Sequence, residues 1–191
     1  MMRAETVSRS FRRVRTRLGW LAATAALACV GARPTAAADV TAATLKAAFL
    51  YNFAKFAEWP AEALSAGQRL SLCVIGDHAV ADALGEIISG RAIEGHELVV
   101  AIVKPDGPLR SCHLLYVGGL GARETPPLLE TLNGSPVFTV GDGEKFAESG
   151  GVAQLILEND RMRFAINVAA ARRARLRLSS RLLSLAQIVQ G

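Results

Sequence analysis

Apolar and polar positions change rhythm along this chain in a regular order. RLSLCVIG (residues 69–76) is a short apolar run that predicts a strand, and AVADALGEII (79–88) has helical spacing with Asp77 as its cap. HELVVAIV (96–103) predicts a second strand and CHLLYVGG (112–119) a third. TPPLLETL (125–132) follows as a helix with prolines in its first turn, then SPVFTVGD (135–142) as a fourth strand. GEKFAESGG (143–151) reads as a short helix ended by glycines. VAQLILEND (152–160) and RMRFAIN (161–167) then face each other across Asn159-Asp160, a hairpin signal. This order predicts an α/β domain of three layers. A mostly parallel sheet is flanked by helices and carries an antiparallel hairpin at one edge.

Two segments frame that core. TLKAAFLYNFAKFAE (44–58) spaces Leu45, Ala48, Phe49, Phe53 and Phe56 as one helical stripe, and Trp59-Pro60 stops it. Tyr51 and Lys55 fall off the stripe. With Trp59 they are candidate contacts for a partner or a second subunit. At the other end, NVAAARRA (167–174) fits two helical turns, whereas RARLRL (173–178) alternates with period 2. SSRLLSLAQIV (179–189) returns to helical spacing, with Ser179 or Ser180 as cap and Leu182, Leu185, Ala186 and Val189 on one face. The strand reading of 173–178 lines up Arg173, Arg175 and Arg177 on one face, about 7 Å apart. Arg172 and Arg181 flank them.

Composition first suggests nucleic acid: 22 Lys+Arg against 17 Asp+Glu give +5. The N-terminus changes that picture. Arg3 to Arg17 form a basic region, LGWLAATAALACVG an apolar run and TAAAD a small-residue cleavage site, which together read as a secretory leader cut after Ala38. The apolar run is too short to favour a permanent anchor. Arg12-Arg13 lacks the twin-arginine context, and Cys29 lacks a proper lipoprotein box. Removing residues 1–38 takes seven basic residues and one acidic residue, leaving 15 and 16 in residues 39–191. The bulk case for nucleic acid disappears. What stays is asymmetry, because seven of the 15 lie between Arg161 and Arg181 with no carboxylate beyond Asp160.

Cys73 and Cys112 then form an even pair, most simply a disulfide, with two buried free thiols as the alternative. No CxxC, HExxH, G-x-S-x-G or S-x-x-K occurs, and His78, His96 and His113 are scattered. GGLG (118–121) and Gly76-Asp77-His78 match no phosphate-binding fingerprint and read as turns. No cofactor, metal site or enzymatic reaction is expected. The arginine ridge has two readings that stay open. It is an anion or acidic-partner site, since Arg captures carboxylate or phosphate bidentately. Alternatively it is a solvated edge paired within the chain to Glu158 and other carboxylates.

Two stretches, LKAAFLYNFAKFAEWP (45–60) and RFAINVAAARRARLRLSSRLLSLAQIV (163–189), resemble the opening and closing signatures of the YfiR family of periplasmic proteins. LCVIGD, SPVFTVGD and FAESGGVAQLILENDRMRF fit the same family. The resemblance implies a periplasmic regulator, not an enzyme, that represses the periplasmic sensory domain of an inner-membrane diguanylate cyclase and is relieved by an outer-membrane lipoprotein. It also implies a homodimer, and cyclic di-GMP and biofilm formation as the output. Cys73 and Cys112 match an inter-strand pair of the family, while a second pair near FAESGG is absent here. A reading of another class is a small-anion sensor feeding a sensor kinase.

Overall fold

The computed structural model describes residues 36–158 and 161–190, with side chains from residue 42. The leader reading falls on residues 1–38, and with Cys29 and Arg12-Arg13 it lies, up to residue 35, outside the described residues. No helix among the described residues is long and apolar enough to cross a membrane.

Among the described residues, ten strands and five α-helices follow in order. They are α1 (Ala36–Phe56), β1 (Ala57–Glu58), β2 (Leu70–Ile75), α2 (His78–Ile88), β3 (Ala92–Ile93), β4 (His96–Ile102) and β5 (Leu114–Val117). After these come α3 (Thr125–Thr131), β6 (Phe138–Gly141), β7 (Ala153–Glu158), β8 (Arg161–Asn167), α4 (Val168–Arg173), β9 (Arg177–Leu178), α5 (Ser180–Leu183) and β10 (Gln187–Val189). Eight strands form one sheet in the order β10-β8-β7-β6-β5-β2-β4-β3. The run from β7 to β4 is parallel, β8 turns back against β7, and β3 turns back against β4. This is the mostly parallel α/β sheet with an antiparallel edge hairpin that the sequence pattern predicts.

Alternation along the buried strands builds the two outer layers. Leu72 and Val74 of β2, with Leu114 and Tyr116 of β5, belong to the core shared with α1, α2, α4 and α5. Cys73, Ile75, Leu115 and Val117 point the other way, against Leu128, Leu129 and Leu132 around α3. A strand buried on both faces needs apolar side chains at every position, which is why LCVI and LLYV show no alternation in sequence.

Four local expectations need correction. The stripe of α1 is rotated: Ala43, Ala47, Leu50, Phe53 and Ala54 are buried, while Leu45 is 37% exposed and Phe49 and Phe56 are half-buried. Apolar residues lie all round this helix, so spacing alone leaves its phase undetermined. GEKFAESGG forms turns instead of a helix; Lys145 sits at φ 56°, outside helical geometry, with Gly143 and Gly150 on either side. The 173–178 strand shrinks to Arg177–Leu178, because α4 runs through Arg173 and Arg175 takes a left-handed conformation at φ 57°. Finally, SSRLLSLAQIV makes only one helical turn, and Gln187–Val189 leaves it to pair in parallel with Ala165–Asn167 of β8.

Candidate functional site

The C-terminal arginines are ordered by the elements that hold them. Asn167 caps α4 by accepting the Ala170 N–H, and its amide donates to the Ala147 carbonyl at 2.8 Å. After the left-handed turn at Arg175, β9 pairs antiparallel with β1, setting Ala57 opposite Leu178 and Glu58 opposite Arg177. Arg175 then reaches Glu62 at 2.7 Å and Arg177 reaches Glu58 at 3.5 Å. All four side chains are exposed, so each pair contributes about 0–1 kcal/mol and serves mainly to place the guanidinium.

Arg173, Arg175 and Arg177 therefore do not share one continuous strand, although the in-out alternation survives: Ala174 and Leu176 are buried between exposed arginines. Arg173 instead borders a cleft of about 420 Å³ lined by Leu129, Leu132, Val137, Val152 and Ala170. Among the described residues, Arg172, Arg173 and Arg181 make no ion pair. Arg181 and Lys55 both lie over the half-buried Phe56 ring, at 5.8 and 5.9 Å from its centroid. The cationic surface thus joins the C-terminal segment to the last turn of α1.

The other singled-out residues go elsewhere. Cys73 and Cys112 are bonded, with Cα atoms 5.8 Å apart, and tie β2 to the segment that leads into the neighbouring β5. Tyr51 is half-buried beneath the Arg91 guanidinium. Trp59 donates from Nε1 to the His113 carbonyl at 3.0 Å, so it braces the loop after α1.

Two constellations escaped the sequence reading. Lys46 of α1 reaches Asp142 Oδ2 at 2.6 Å and Asp77 Oδ2 at 3.5 Å. Fully buried Tyr116 donates to the same Asp142 oxygen at 2.9 Å. Burial, then Asp142, then Asp77 push the Tyr116 phenol far above its ordinary range. These groups gather beyond the carboxyl ends of β2, β5 and β6, where α/β sheets often bind ligands. Here the backbones close in: a Cβ on Gly76 would lie 2.1 Å from the Gly118 carbonyl oxygen. Asp77 already caps α2 through the Val80 N–H. The lysine pins α1 over this end of the sheet. Nothing in the sequence announces it, since Asp142 is 96 positions away.

His113 is the second constellation. Its Nδ1 accepts the Ser71 N–H at 3.0 Å, so the neutral ring carries its proton on Nε2 and donates to the Ala63 carbonyl at 3.0 Å. Burial lowers its pKa; the Ala63 carbonyl opposes that shift and His96 adds to it. Because the folded pKa lies below the unfolded one, this contribution to stability is complete above about pH 6.5 and is lost as pH falls through the folded value. Urea unfolding at about pH 7.5 and about pH 5 should show that loss in the natural chain and a smaller one in His113→Gln. Identical losses in both would assign the pH dependence to other groups.

The model of the YfiR/HmsC-like family matches residues 43–187, from the first core residue of α1 to the first residue of β10. The chain belongs to the YfiR/HmsC-like family. The match encloses the disulfide, both constellations and every arginine of the C-terminal segment. Among solved structures, the chain is similar to a conserved domain protein from Vibrio cholerae O1 biovar eltor str. N16961, with 16% identity and a TM-score of 0.45. That likeness covers 62% of this chain and 54% of the other, so the family member spans about half of that chain. No curated protein matches it.

Proposed function

We propose that this protein is a periplasmic regulator that binds and represses the periplasmic sensory domain of an inner-membrane signalling protein, a diguanylate cyclase. Family membership supports the general part of this reading, a periplasmic regulator of cyclic di-GMP signalling. The disulfide fits an oxidising compartment.

The observation that carries the binding surface is the way β1 and β9 hold the cations. Glu58 and Glu62 position Arg177 and Arg175, Arg181 lies over Phe56, and Arg172 and Arg173 are exposed and make no ion pair among the described residues. Arginine and aromatic side chains are those that most often carry interface energy. A regulator of this kind must bind one state of its target more tightly by several kcal/mol. An outer-membrane lipoprotein would relieve repression by competing for the regulator, and a homodimer would present the surface twice.

Arg175→Glu or Arg177→Glu should abolish repression, read as raised cellular cyclic di-GMP, while the melting temperature moves little because both sites are exposed. Glu62→Arg added to Arg175→Glu restores the ion pair with its sign reversed. Repression should stay lost if the guanidinium faces the partner. Recovery would make Arg175 a purely intrachain residue, and unchanged repression in the single variants would exclude this surface.

The cleft beside Arg173 favours a second reading, a sensor for a small anion with an apolar body. In that case phosphate or benzoate should raise the melting temperature with dose, and Arg173→Ala should abolish the effect.

A further inference from the structure

The outer edge of the sheet at β10 points to a second binding surface, separate from the arginine-bearing face proposed above. Register aligns Tyr116, Val140, Ala153, Ile166 and Ile188 as one row across five strands. The first four are completely buried, yet Ile188 is 53% exposed. The apolar row is therefore cut off one strand before it is covered. Gln187–Val189 contains no proline and no charge, the usual devices that blunt an edge strand.

The same edge carries a charge pattern on its other face. β10 pairs only with Ala165–Asn167, so Arg161–Phe164 of β8 has no ladder partner on its outer side. Side chains alternate along β8. Phe164 and Ile166 face the α1 side, and Arg161 and Arg163 project to the opposite side. Arg161 makes no ion pair among the described residues, and Arg163 comes only within 3.8 Å of the exposed Glu158. A strand added here would meet an apolar surface on one face and guanidinium groups on the other.

We infer that this edge accepts an extended partner segment in which apolar and acidic residues alternate, added as a further strand beside β10 and running past it toward the open side of Arg161–Phe164. Ladder hydrogen bonds would supply affinity, Ile188 would seat the apolar residues, and Arg161 and Arg163 would read the acidic ones. A second copy of this chain fits worse. Described residues 161–190 contain no carboxylate, so edge-to-edge pairing would set arginine against arginine.

The test uses the full folded chain and a capped eight-residue synthetic peptide alternating valine and glutamate, with a valine–lysine peptide as control. Fluorescence anisotropy should show binding of the glutamate peptide only, with hydrogen exchange slowed at the amides of Gln187–Val189. Ile188→Asp, and separately Arg161→Glu with Arg163→Glu, should each weaken it about tenfold or more without unfolding the protein. Equal binding of both peptides, or affinity unchanged in both variants, would overturn the assignment. So would a dimer in sedimentation that Ile188→Asp dissociates, because a second copy would then occupy the edge.

Discussion

Phe53→Ala should lower the stability of this protein by about 4 kcal/mol and its melting temperature by roughly 12 °C. Phe53 is 1% exposed and lies where α1 crosses the sheet. Its ring stacks on Phe138 of β6 with centroids 5.5 Å apart and meets Phe164 of β8 edge-on at 5.2 Å. Phe49 closes the cluster at 6.1 Å. Truncation removes the transfer free energy of the ring and also strands its three neighbours around a void. That void cannot collapse easily, because Phe138 and Phe164 are held in register by Leu114 of β5 and Leu155 of β7. Phe56→Ala, at a half-buried position one turn on, should cost clearly less. Denaturant titration of both variants checks the pair, and equal losses would mean that α1 is not anchored through Phe53.

Replacing both cysteines, as Cys73→Ser with Cys112→Ser, should cost a similar amount, about 4 kcal/mol on the chain-entropy account of a 39-residue loop. Both positions are almost completely buried in the layer that packs on α3, so two serine hydroxyls add a desolvation penalty. Reducing agent without mutation isolates the cross-link from that penalty. The reduced natural chain should unfold at lower urea. A reduced protein as stable as the oxidised one would show that the bridge only records the closeness of two strands already held by their ladder.

The order of elements was legible because each buried strand is a short apolar run bounded by glycine or a polar cap. Asp77, Asn167 and Ser179 cap helices in the structure as local chemistry requires. The cysteine pairing was legible for a related reason: the first and third main strands of such a sheet are neighbours. What failed was phase and partner choice. The phase of α1 depends on which of several apolar faces meets the sheet, a tertiary matter. RARLRL has a strand's alternation but also a helix end and a left-handed residue, and only the pairing of Leu178 with Ala57 shows which part is extended. Gln187–Val189 is a strand solely because β8 offers it an edge. Lys46, Tyr116 and His113 act through partners distant in sequence, so no local pattern marks them.

The disulfide also bears on the order of assembly. The bridge encloses the end of β2 with α2, β3 and β4, a contiguous stretch, so this segment can close its covalent loop before the C-terminal residues take part. The β1–β9 pairing joins residues 57–58 to residues 177–178 and must wait for that C-terminal segment. On loop-closure grounds the surface that carries Arg175 and Arg177 is expected to form late, and the order in which its amides gain exchange protection during refolding would check this. A chain stalled short of that step would already be oxidised, yet would lack the surface proposed to bind the partner.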